Sequence, residues 1–389
     1  MTSSKVRLEQ IAAPENLREA FLRAARGKGH RPDVLAFREH LSRELDSLRA
    51  DLLAGTVRVG SYTTFIIWEP KERSINAPCF RERVLHHAIV GPCEADFERW
   101  LIDDTFACRR GRGREAALRR AERFARRHRW FLKLDVRKYF DSIPHDILLA
   151  EITRRFRDRQ VVAVWERIIR GYAKSPGRGL PIGALTSQHL ANFYLGPVDR
   201  LVREELRMPG YVRYMDDIAL WADDKATVLG AFHEVGRRLG ERGLDLKPSW
   251  HLQAAGRGMD FLSYRVFPDG SALTRPSRRR FVRRWRARER ELSAGLVGET
   301  LAQRRALALT AFVRVARREG ILRRLFGPLG NDLGISHRAP TASTAAAAGT
   351  IPLTTAAPPT ATGTSQATAT TTSASASPSA HAGPQRPPD

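Results

Sequence analysis

The stretch YVRYMDDIALW (211–221) decides the fold, because two apolar, strand-like arms flank the acidic pair Asp216 and Asp217. This is the pattern of a β-hairpin with a polar centre. A second stretch, WFLKLDV (130–136), reads as a short apolar strand that ends near the carboxylate of Asp135. Carboxylates brought together at one edge of an apolar sheet repel one another, and divalent cations relieve that repulsion. Two Mg²⁺ ions held about 3.5–4 Å apart can then support phosphoryl transfer.

A bare Asp-Asp pair has a simpler interpretation, since Asp is common in turns. Only the sequence around the pair can therefore indicate whether it is catalytic or part of an ordinary turn. Asp223 and Asp224 repeat the pair without apolar flanks, and their position predicts the N-terminal cap of a following helix.

Outside these stretches, helical and strand patterns are mixed without a regular β-α-β repeat, which predicts an α+β fold. Apolar positions at helical spacing predict two helices in the first 55 residues, and residues 60–78 read as strand, Pro-containing turn and strand. Strands are also expected near 250–267. The remaining predicted helices are 81–101, 114–129, 144–157, 159–171, 186–207, 225–242, 276–294 and 300–325.

Six sequence blocks give these elements a family resemblance. Tyr214-Met215-Asp216-Asp217 matches the YxDD box of reverse transcriptases, and FLKLDVRKYFDSIPHDIL (131–148) resembles the metal-binding block that precedes it. The other blocks are EPKERSINAP (69–78) with RERVLHHAI (81–89) for the fingers, GLPIGALTSQHLANFYL (179–195) for template and nucleotide positioning, GLDLKP (243–248) for the lysine-bearing block and FLSYRVFP (261–268) for the primer grip. All six occur in family order, so the chain resembles a reverse transcriptase.

The resemblance implies a right-hand polymerase with fingers, palm and a short helical thumb. The expected divisions are an N-terminal helical extension at 1–54, fingers and palm at 55–267, a basic helical thumb at 268–337 and a disordered tail at 338–389. The tail expectation rests on composition, because 41 of the 51 residues from Ala339 onward are Ala, Thr, Ser or Pro. Such a segment has too few large apolar groups to offset its ordering entropy.

The same resemblance assigns catalytic roles. Asp135 and Asp216 would bind two Mg²⁺ ions, with Asp217 assisting and the Val136 carbonyl as a further ligand. Phe140 would be the steric gate, because its ring would fill the space that a ribose 2′-hydroxyl needs. The implied nucleotide-binding positions are Lys71, Arg73, Phe140, Ile182, Gly183, Gln188 and Lys247.

Within that set, Lys71 and Arg73 would contact the triphosphate of an incoming deoxynucleotide. Gly183 would let the backbone pass close to the nucleotide. Lys247 would donate a proton or neutralise charge near the pyrophosphate. The resulting reaction is extension of a primer on a template RNA with deoxynucleoside triphosphates.

Two departures from the usual reverse transcriptase pattern narrow the resemblance. Many members carry Gln-Gly-x-x-x-Ser-Pro in the positioning block, whereas this chain has Ile182 at the first position and Gln188 at the last. That combination is similar to the reverse transcriptases of diversity-generating retroelements, which copy RNA with frequent errors at adenines and commonly have a small basic helical accessory protein as partner. Loss of a hydrogen-bonding Gln should loosen nucleotide placement and reduce discrimination. Ser263, where Gly is usual, alters the primer-grip block.

Length argues against one related class, and two alternatives stay open. Group II intron proteins resemble the chain but generally add maturase, DNA-binding and endonuclease regions, and only about 70 residues separate Pro268 from the compositional break at 338. Retron-like and phage-defence reverse transcriptases share the active site and are also short. A non-catalytic RNA-binding protein would keep the basic surface but would not need Asp135, Asp216, Asp217 and Phe140 at these spacings.

Charge supports a polyanionic partner. The 389 residues contain 66 Lys and Arg against 42 Asp and Glu, for a formal charge of +24. Residues 275–290 hold nine arginines, and they form either a solvated face or a thumb helix that follows nucleic acid through Arg279, Arg280, Arg283 and Arg284. The loop carrying Arg112 and Arg114 either clamps template RNA or only connects two helices.

The remaining composition bears on the compartment. No apolar run approaches the roughly 18 residues that span a bilayer, and the N-terminal sequence lacks an apolar signal core, so no membrane association is expected. Three cysteines without a C-x-x-C spacing suit a reduced, cytoplasmic protein.

Overall fold

A four-stranded antiparallel sheet carries the acidic residues of both deciding stretches. The computed structural model describes residues 3–68 and 72–316, and all structural statements below concern these residues. The central sheet has the strand order β4-β5-β3-β6. Its strands are β3 (Trp130–Asp135), β4 (Gly210–Tyr214), β5 (Asp217–Ala222) and β6 (His251–Ala254). The predicted hairpin is therefore confirmed as β4 and β5, and the predicted apolar strand as β3.

Alternation along the strands divides the interior into two cores. In β3, Leu132 and Leu134 enter the larger core, whereas Phe131 enters a smaller core on the opposite face of the sheet. Successive side chains of a strand point to opposite faces, so a strand covered on both sides reads as a continuous apolar run. This explains why WFLKLDV lacks a polar alternation. Asp135 and Lys133 share the face of Phe131.

The helices occupy most of the rest of the described chain. In order, they are α1 (Leu8–Ile11), α2 (Pro14–Ala25), α3 (Pro32–Glu39), α4 (Leu41–Leu53), α5 (Phe80–Trp100), α6 (Arg114–Arg127), α7 (Tyr139–Ser142), α8 (His145–Arg155), α9 (Arg159–Arg170), α10 (Leu185–Tyr194), α11 (Gly196–Arg200), α12 (Lys225–Glu241), α13 (Arg275–Ser293) and α14 (Glu299–Arg314). Asp224 accepts a hydrogen bond from the backbone N–H of Thr227, so the predicted cap of α12 is confirmed.

Two sequence predictions about helices are wrong. The first 55 residues form four helices rather than two, because Pro14 and Pro32 each begin a new helix and His40 interrupts the helical backbone between α3 and α4. The single helix predicted over 186–207 is also broken. A new helix, α11, begins at Gly196 with Pro197 in its first turn after α10 has ended, and α11 continues into the π-helical turn Leu201–Glu205.

Two smaller sheets flank the central one. An antiparallel ribbon of β1 (Tyr62–Ile67) and β2 (Arg73–Pro78) corresponds to the predicted fingers hairpin. A three-stranded sheet contains β7 (Met259–Phe261), β8 (Tyr264–Phe267) and β9 (Gly270–Leu273). Because β9 pairs with β8, this sheet continues past the predicted palm–thumb boundary at 268. The four domain divisions otherwise stay predictions, and the tail from 338 lies outside the described residues.

The architecture is mixed helix and sheet, as expected from the sequence. No helix within 3–68 and 72–316 combines the length and the apolar character that a membrane crossing requires.

Candidate active site

The β4–β5 hairpin places Asp216 in a two-residue turn. Tyr214 and Asp217 face each other at the ends of the strands, so Met215 and Asp216 form the turn between them. Met215 has a φ of 58°, a left-handed conformation that is uncommon for a residue with a side chain. A positive φ at the first of two turn residues is the pattern of a type II′ hairpin turn.

A buried arginine holds this turn against the helices behind the sheet. Arg213 is fully buried, and its guanidinium contacts both carboxylate oxygens of Asp199 at 2.6 Å. The same guanidinium donates to the side-chain oxygen of Asn192 at 2.8 Å and to the Met215 carbonyl at 3.1 Å. The hydrogen bond to Met215 connects the turn to α10 and α11, which carry Asn192 and Asp199.

Sheet register brings the third acidic residue to the same edge. Asp135, the last residue of β3, lies directly opposite Asp217 of β5. Burial, and then the negative charge of Asp135, raise the pKa of the Asp216 carboxyl. Burial also raises the pKa of Asp217, to about 7, against the lowering effect of the Lys133 ammonium. The three carboxyl groups therefore form one electrostatically coupled acidic edge.

Two lysines contact this acidic edge. The Lys247 ammonium nitrogen lies 2.5 Å from a carboxylate oxygen of Asp135, and that of Lys133 lies 3.3 Å from an oxygen of Asp217. Arg73 in β2 also lowers the pKa of Asp216, which brings the fingers hairpin into the electrostatic environment of the site.

Among the described residues, no three Asp, Glu, His or Cys side chains are arranged to hold a metal ion. The three-carboxylate metal site expected from the sequence stays a prediction, and in the structure Asp135 is paired with Lys247. The donor chemistry nevertheless fits Mg²⁺, which takes one or two carboxylates and substrate phosphates. The buried Asp217 oxygen of this edge faces a cation, the Lys133 ammonium at 3.3 Å, and among the described residues it has no other polar partner.

The lysine-bearing block is attached to the end of β3. Val136 and Leu246 form an antiparallel bridge, in which the Lys247 N–H donates to the Asp135 carbonyl and the Arg137 N–H donates to the Asp245 carbonyl, both at 2.8 Å. Neither hydrogen bond uses the Val136 carbonyl, the predicted further metal ligand. The bridge explains how Lys247 reaches Asp135 although the two residues are far apart in the sequence.

The predicted steric gate follows the same strand. Phe140 lies on the short helix α7, half-buried, with its ring centre 5.7 Å from that of the buried Tyr139. The Phe140 carbonyl accepts a 2.8 Å hydrogen bond from the Leu180 N–H. The backbone of Phe140 is therefore connected directly to the start of the positioning block.

Arg178 links two of these segments, α7 and the lysine-bearing block, from the surface. Its guanidinium donates to the Ser142 carbonyl at 3.1 Å and to the Gly243 carbonyl at 2.9 Å. Ser142 ends α7, and Gly243 begins the block that carries Lys247. The exposed Arg178 thus joins the gate helix to the lysine-bearing block.

The positioning block contacts the fingers hairpin. The Ile182 carbonyl accepts a 2.7 Å hydrogen bond from the Asn76 N–H. Gly183 has a φ of 120°, and a Cβ there would lie 2.8 Å from the Ile75 side chain, so only glycine fits this close approach. The exposed Gln188 accepts a weak 3.4 Å hydrogen bond from the Cys108 thiol. Lys71 lies outside the described residues.

The two arginines predicted to contact RNA, Arg112 and Arg114, make contacts within the protein. Arg112 pairs with Asp103 at 2.7 Å, and its guanidinium lies 5.7 Å from the Phe106 ring centre. The Arg114 guanidinium lies 4.9 Å from the Phe312 ring centre and 5.6 Å from that of Tyr264. These contacts connect the segment that carries Arg112 and Arg114 to the smaller core.

The predicted thumb arginines lie on α13, which is anchored by Phe281. Phe281 is buried in the smaller core and Trp285 packs beside it, so the expected aromatic stripe is confirmed. Arg279, Arg283 and Arg284 are exposed, whereas Arg280 is half-buried and donates to Ser277. An open cavity of about 470 Å³ is lined by Arg278, Arg279, Val282, Arg283, Arg286 and Arg290.

Sequence reasoning missed Lys133, Arg213 and Arg178. Lys133 precedes Asp135 by two residues in a strand, so the two-residue period alone could have placed both on one face. Arg213 is a charged residue inside an otherwise apolar arm of the hairpin, which was a signal for a buried partner. No sequence signal marks Arg178, because its partners are backbone carbonyls.

Comparison with known proteins agrees with the blocks identified in the sequence. Residues 69–266 match the family described as "Reverse transcriptase (RNA-dependent DNA polymerase)". Protein YkfC of Escherichia coli is 27% identical over 218 residues, covering 51% of this chain and 57% of YkfC. Group II intron-encoded protein LtrA of Lactococcus lactis is 25% identical over 193 residues, covering 43% of this chain and 32% of LtrA. The matched region is thus less than two thirds of either relative.

Two further similarities are to a plant protein and to a solved structure. Nuclear intron maturase 4, mitochondrial, of Arabidopsis thaliana is 27% identical over 203 residues, covering 49% of this chain and 24% of that protein. A solved structure of telomerase from Candida albicans superposes with a TM-score of 0.43 at 9% identity, covering 57% of this chain and 48% of the telomerase chain.

Proposed function

The chain belongs to the reverse transcriptase family, and from this membership we propose that it is an RNA-directed DNA polymerase. The observation that carries the proposal is the acidic edge of the central sheet, where Asp135 faces Asp217 and Asp216 occupies the adjoining turn. The elevated pKa values of Asp216 and Asp217 mark carboxyl groups that are costly to keep ionised without a cation.

In the proposed reaction, the primer 3′-hydroxyl attacks the α-phosphorus of a deoxynucleoside triphosphate. A new P–O bond forms to the primer as its 3′-hydroxyl releases its proton to solvent, the bond from the α-phosphorus to the oxygen bridging to the β-phosphate breaks, and pyrophosphate leaves. Asp135, Asp216 and the Val136 carbonyl would hold Mg²⁺, which when bound supplies Lewis-acid activation of the attacking and leaving oxygens. Lys247, beside Asp135, supplies positive charge, and Arg73 orients the triphosphate from the fingers.

The direct experiment is primer extension on an RNA template by the full chain and by Asp216→Asn. We expect extension by the parental protein with Mg²⁺, none after chelation of Mg²⁺, and a loss of at least about 100-fold in Asp216→Asn. Asp46→Asn, which removes an exposed carboxylate from α4, is the matched control and should extend normally. Equal incorporation by the Asp216 variant and the parental protein would exclude the proposed site.

At a finer level, we propose that the chain is the error-prone reverse transcriptase of a diversity-generating retroelement. Support comes from Ile182 and Gln188, which replace the usual Gln and Pro of the positioning block. The Ile182 carbonyl accepts a hydrogen bond from the Asn76 N–H, a backbone contact that does not depend on which side chain is present at position 182. An apolar side chain offers no polar restraint to the nucleotide, which reduces discrimination.

This finer proposal is tested by sequencing the cDNA made by the parental protein and by Ile182→Gln. We expect parental errors to concentrate at template adenines and Ile182→Gln to reduce them there more than at other bases. Leu35→Gln, an exposed apolar-to-amide change on α3, controls for the added polar group. Parental errors spread evenly over the four bases would instead favour a retron-like or phage-defence enzyme.

A second candidate function is assistance of intron RNA splicing, which the names of LtrA and of maturase 4 favour. A splicing role requires RNA binding, which the basic surface supports, and does not require the acidic edge. Restoration of splicing of a cognate intron by Asp216→Asn would identify this role. Polymerase activity without any effect on splicing would remove it.

A further inference from the structure

The outer surface of α6 carries an excess of arginine that the proposed polymerase site does not use. Five arginines lie within one sector of about 120°, because α-helical residues advance by about 100° each. They form what we call the α6 arginine face, consisting of Arg119, Arg120, Arg123, Arg126 and Arg127. The opposite side of α6 is buried in the smaller core through residues such as Leu118 and Phe124. The helix is thus fixed to the protein by one side and presents cations on the other.

An open cavity of about 370 Å³ lies at the N-terminal end of this face. Four arginines line it together with a single carboxylate, that of Asp103. The lining residues are Asp103, Phe106, Arg112, Ala116, Arg119, Arg120 and Arg123. Arg112 pairs with Asp103 and lies over the Phe106 ring, which holds its guanidinium at the cavity wall. The cavity is therefore cationic and open to solvent.

The local carboxylates neutralise only part of this charge. Arg120 is held by the buried Asp104 at 2.7 Å, and Arg119 contacts Glu115 at 3.4 Å with both side chains more than half exposed. An ion pair that exposed contributes little. Arg123 and Arg127 are exposed and form no ion pair with a described residue. Fold stability therefore accounts for Arg120, and for Arg126, which donates to the Pro268 carbonyl at 3.0 Å, but not for Arg119, Arg123 and Arg127.

The composition of the α6 arginine face indicates which class of molecule it binds. Protein interfaces usually have an apolar core, but the apolar residues that line the cavity are only the small Ala116 and Phe106, and Arg112 lies over the Phe106 ring. Insertion into a membrane requires large apolar side chains, and those of α6 are buried. Planar guanidinium groups match phosphate oxygens bidentately, and helical RNA is recognised mainly through its backbone and shape.

We propose that the α6 arginine face, together with Arg112, binds the phosphate backbone of a folded RNA segment apart from the site of primer extension. The identification of RNA rests on the proposed function, which requires an RNA template. The face would retain a structured part of the same RNA while its single-stranded part is copied.

The test compares two charge-matched triple variants of the full chain. Arg119→Ala/Arg123→Ala/Arg127→Ala removes the exposed centre of the face, and Arg38→Ala/Arg43→Ala/Arg49→Ala removes three exposed arginines from α3 and α4. The probe is a labelled RNA hairpin with a stem of about 16 base pairs and no primer, titrated at several salt concentrations. We expect the α6 variant to lose about tenfold in affinity, with a log–log salt slope shallower by about 2, at about 0.7–0.9 per lost phosphate contact.

The control triple should keep the parental salt slope within experimental error. Equal losses in both variants would mean that only overall charge matters, and an unchanged affinity of the α6 variant would also overturn the proposal. A polyglutamate peptide that binds the parental protein as tightly as the hairpin, and that the α6 variant no longer binds, would identify an acidic protein as the partner instead.

Primer extension on a short annealed template–primer separates this proposal from the polymerase function. The α6 variant should extend this substrate within about twofold of the parental rate, because the substrate lacks a folded segment to engage the face. A comparable loss on the short substrate would place the face within the primer-extension site and refute its separate role. Asp216→Asn should behave in the opposite way, losing extension while binding the hairpin normally.

Discussion

At the scale of single residues, Phe140 is the position whose change has the most specific expected result. Phe140→Val shortens a half-buried ring next to Tyr139, so a ribose 2′-hydroxyl would no longer be excluded sterically. We expect incorporation of ribonucleotides relative to deoxynucleotides to rise by about 10–100-fold. Competition between labelled ribo- and deoxynucleoside triphosphates at one template position measures this ratio.

The control for that measurement is Phe65→Val, which shortens an exposed ring in β1 of the fingers hairpin. It should leave sugar selection close to the parental value. An unchanged sugar preference in Phe140→Val, with normal extension, would show that another group forms the gate.

Arg213 illustrates a stability effect at the same scale. Replacing it by Met leaves the fully buried Asp199 carboxylate without its cation and removes the hydrogen bond to the Met215 carbonyl. Loss of one partner of a buried ion pair costs about 3–5 kcal/mol, and we expect urea unfolding to report a decrease of that size. Arg237→Met, which breaks an exposed pair with Glu234, should change the unfolding free energy by less than about 1 kcal/mol.

At the scale of elements, α5 contains a group that should make stability depend on pH. Burial, followed by the charge of Arg23, lowers the pKa of His87 to about 4 from its usual 6.5. The unfolded chain therefore binds a proton at this residue before the folded chain does as pH falls. Its contribution to stability is present above pH 6.5 and is lost as pH falls toward 4.

His87→Gln should reduce this acid sensitivity. Between pH 7 and pH 5, we expect the variant to lose about 1 kcal/mol less unfolding free energy than the parental protein, after allowance for the partial exposure of the ring. Urea unfolding at the two pH values gives the comparison, with His40→Gln as an exposed histidine control. Parallel losses in His87→Gln and the parental protein would contradict the assignment.

The spacing of apolar residues predicted strands and helices correctly where a single strand or helix pattern continued without a break. The strands β3, β4 and β5 followed from apolar arms around Asp135 and Asp216, because burial on both faces leaves a continuous apolar run. Boundaries failed where proline restarts a helix, as at Pro14 and Pro197. Proline fits the first turn of a helix as well as a break, so apolar spacing alone did not separate consecutive helices.

The sequence predicted the acidic residues of the candidate site but not which basic residues contact them. Asp135 and Asp216 could be named because a strand end and a hairpin turn leave a local signature. Contacts such as Lys247 with Asp135 depend on a bridge between Val136 and Leu246, which is a long-range pairing. Nothing within a short window of sequence specifies which distant segment will pair there.

At the scale of the whole molecule, the charge distribution predicts that removal of residues 339–389 will not weaken nucleic-acid binding. Only Arg386 and Asp389 are charged in that segment, and they cancel, so the formal charge of +24 is retained. The shortened chain should bind the RNA hairpin with the same affinity and the same salt slope as the full chain. A shallower slope after deletion would show that the segment affects RNA contact by some route other than its net charge.

Two lysines already neutralise part of the charge at the acidic edge. Lys247 pairs with Asp135, and Lys133 pairs with Asp217. The negative charge of the carboxylates is therefore partly compensated by ammonium groups of the protein itself. If Mg²⁺ binds there as proposed, it would have to displace a lysine ammonium from a carboxylate. A lysine displaced in this way would be free to pair with the phosphates of a nucleotide.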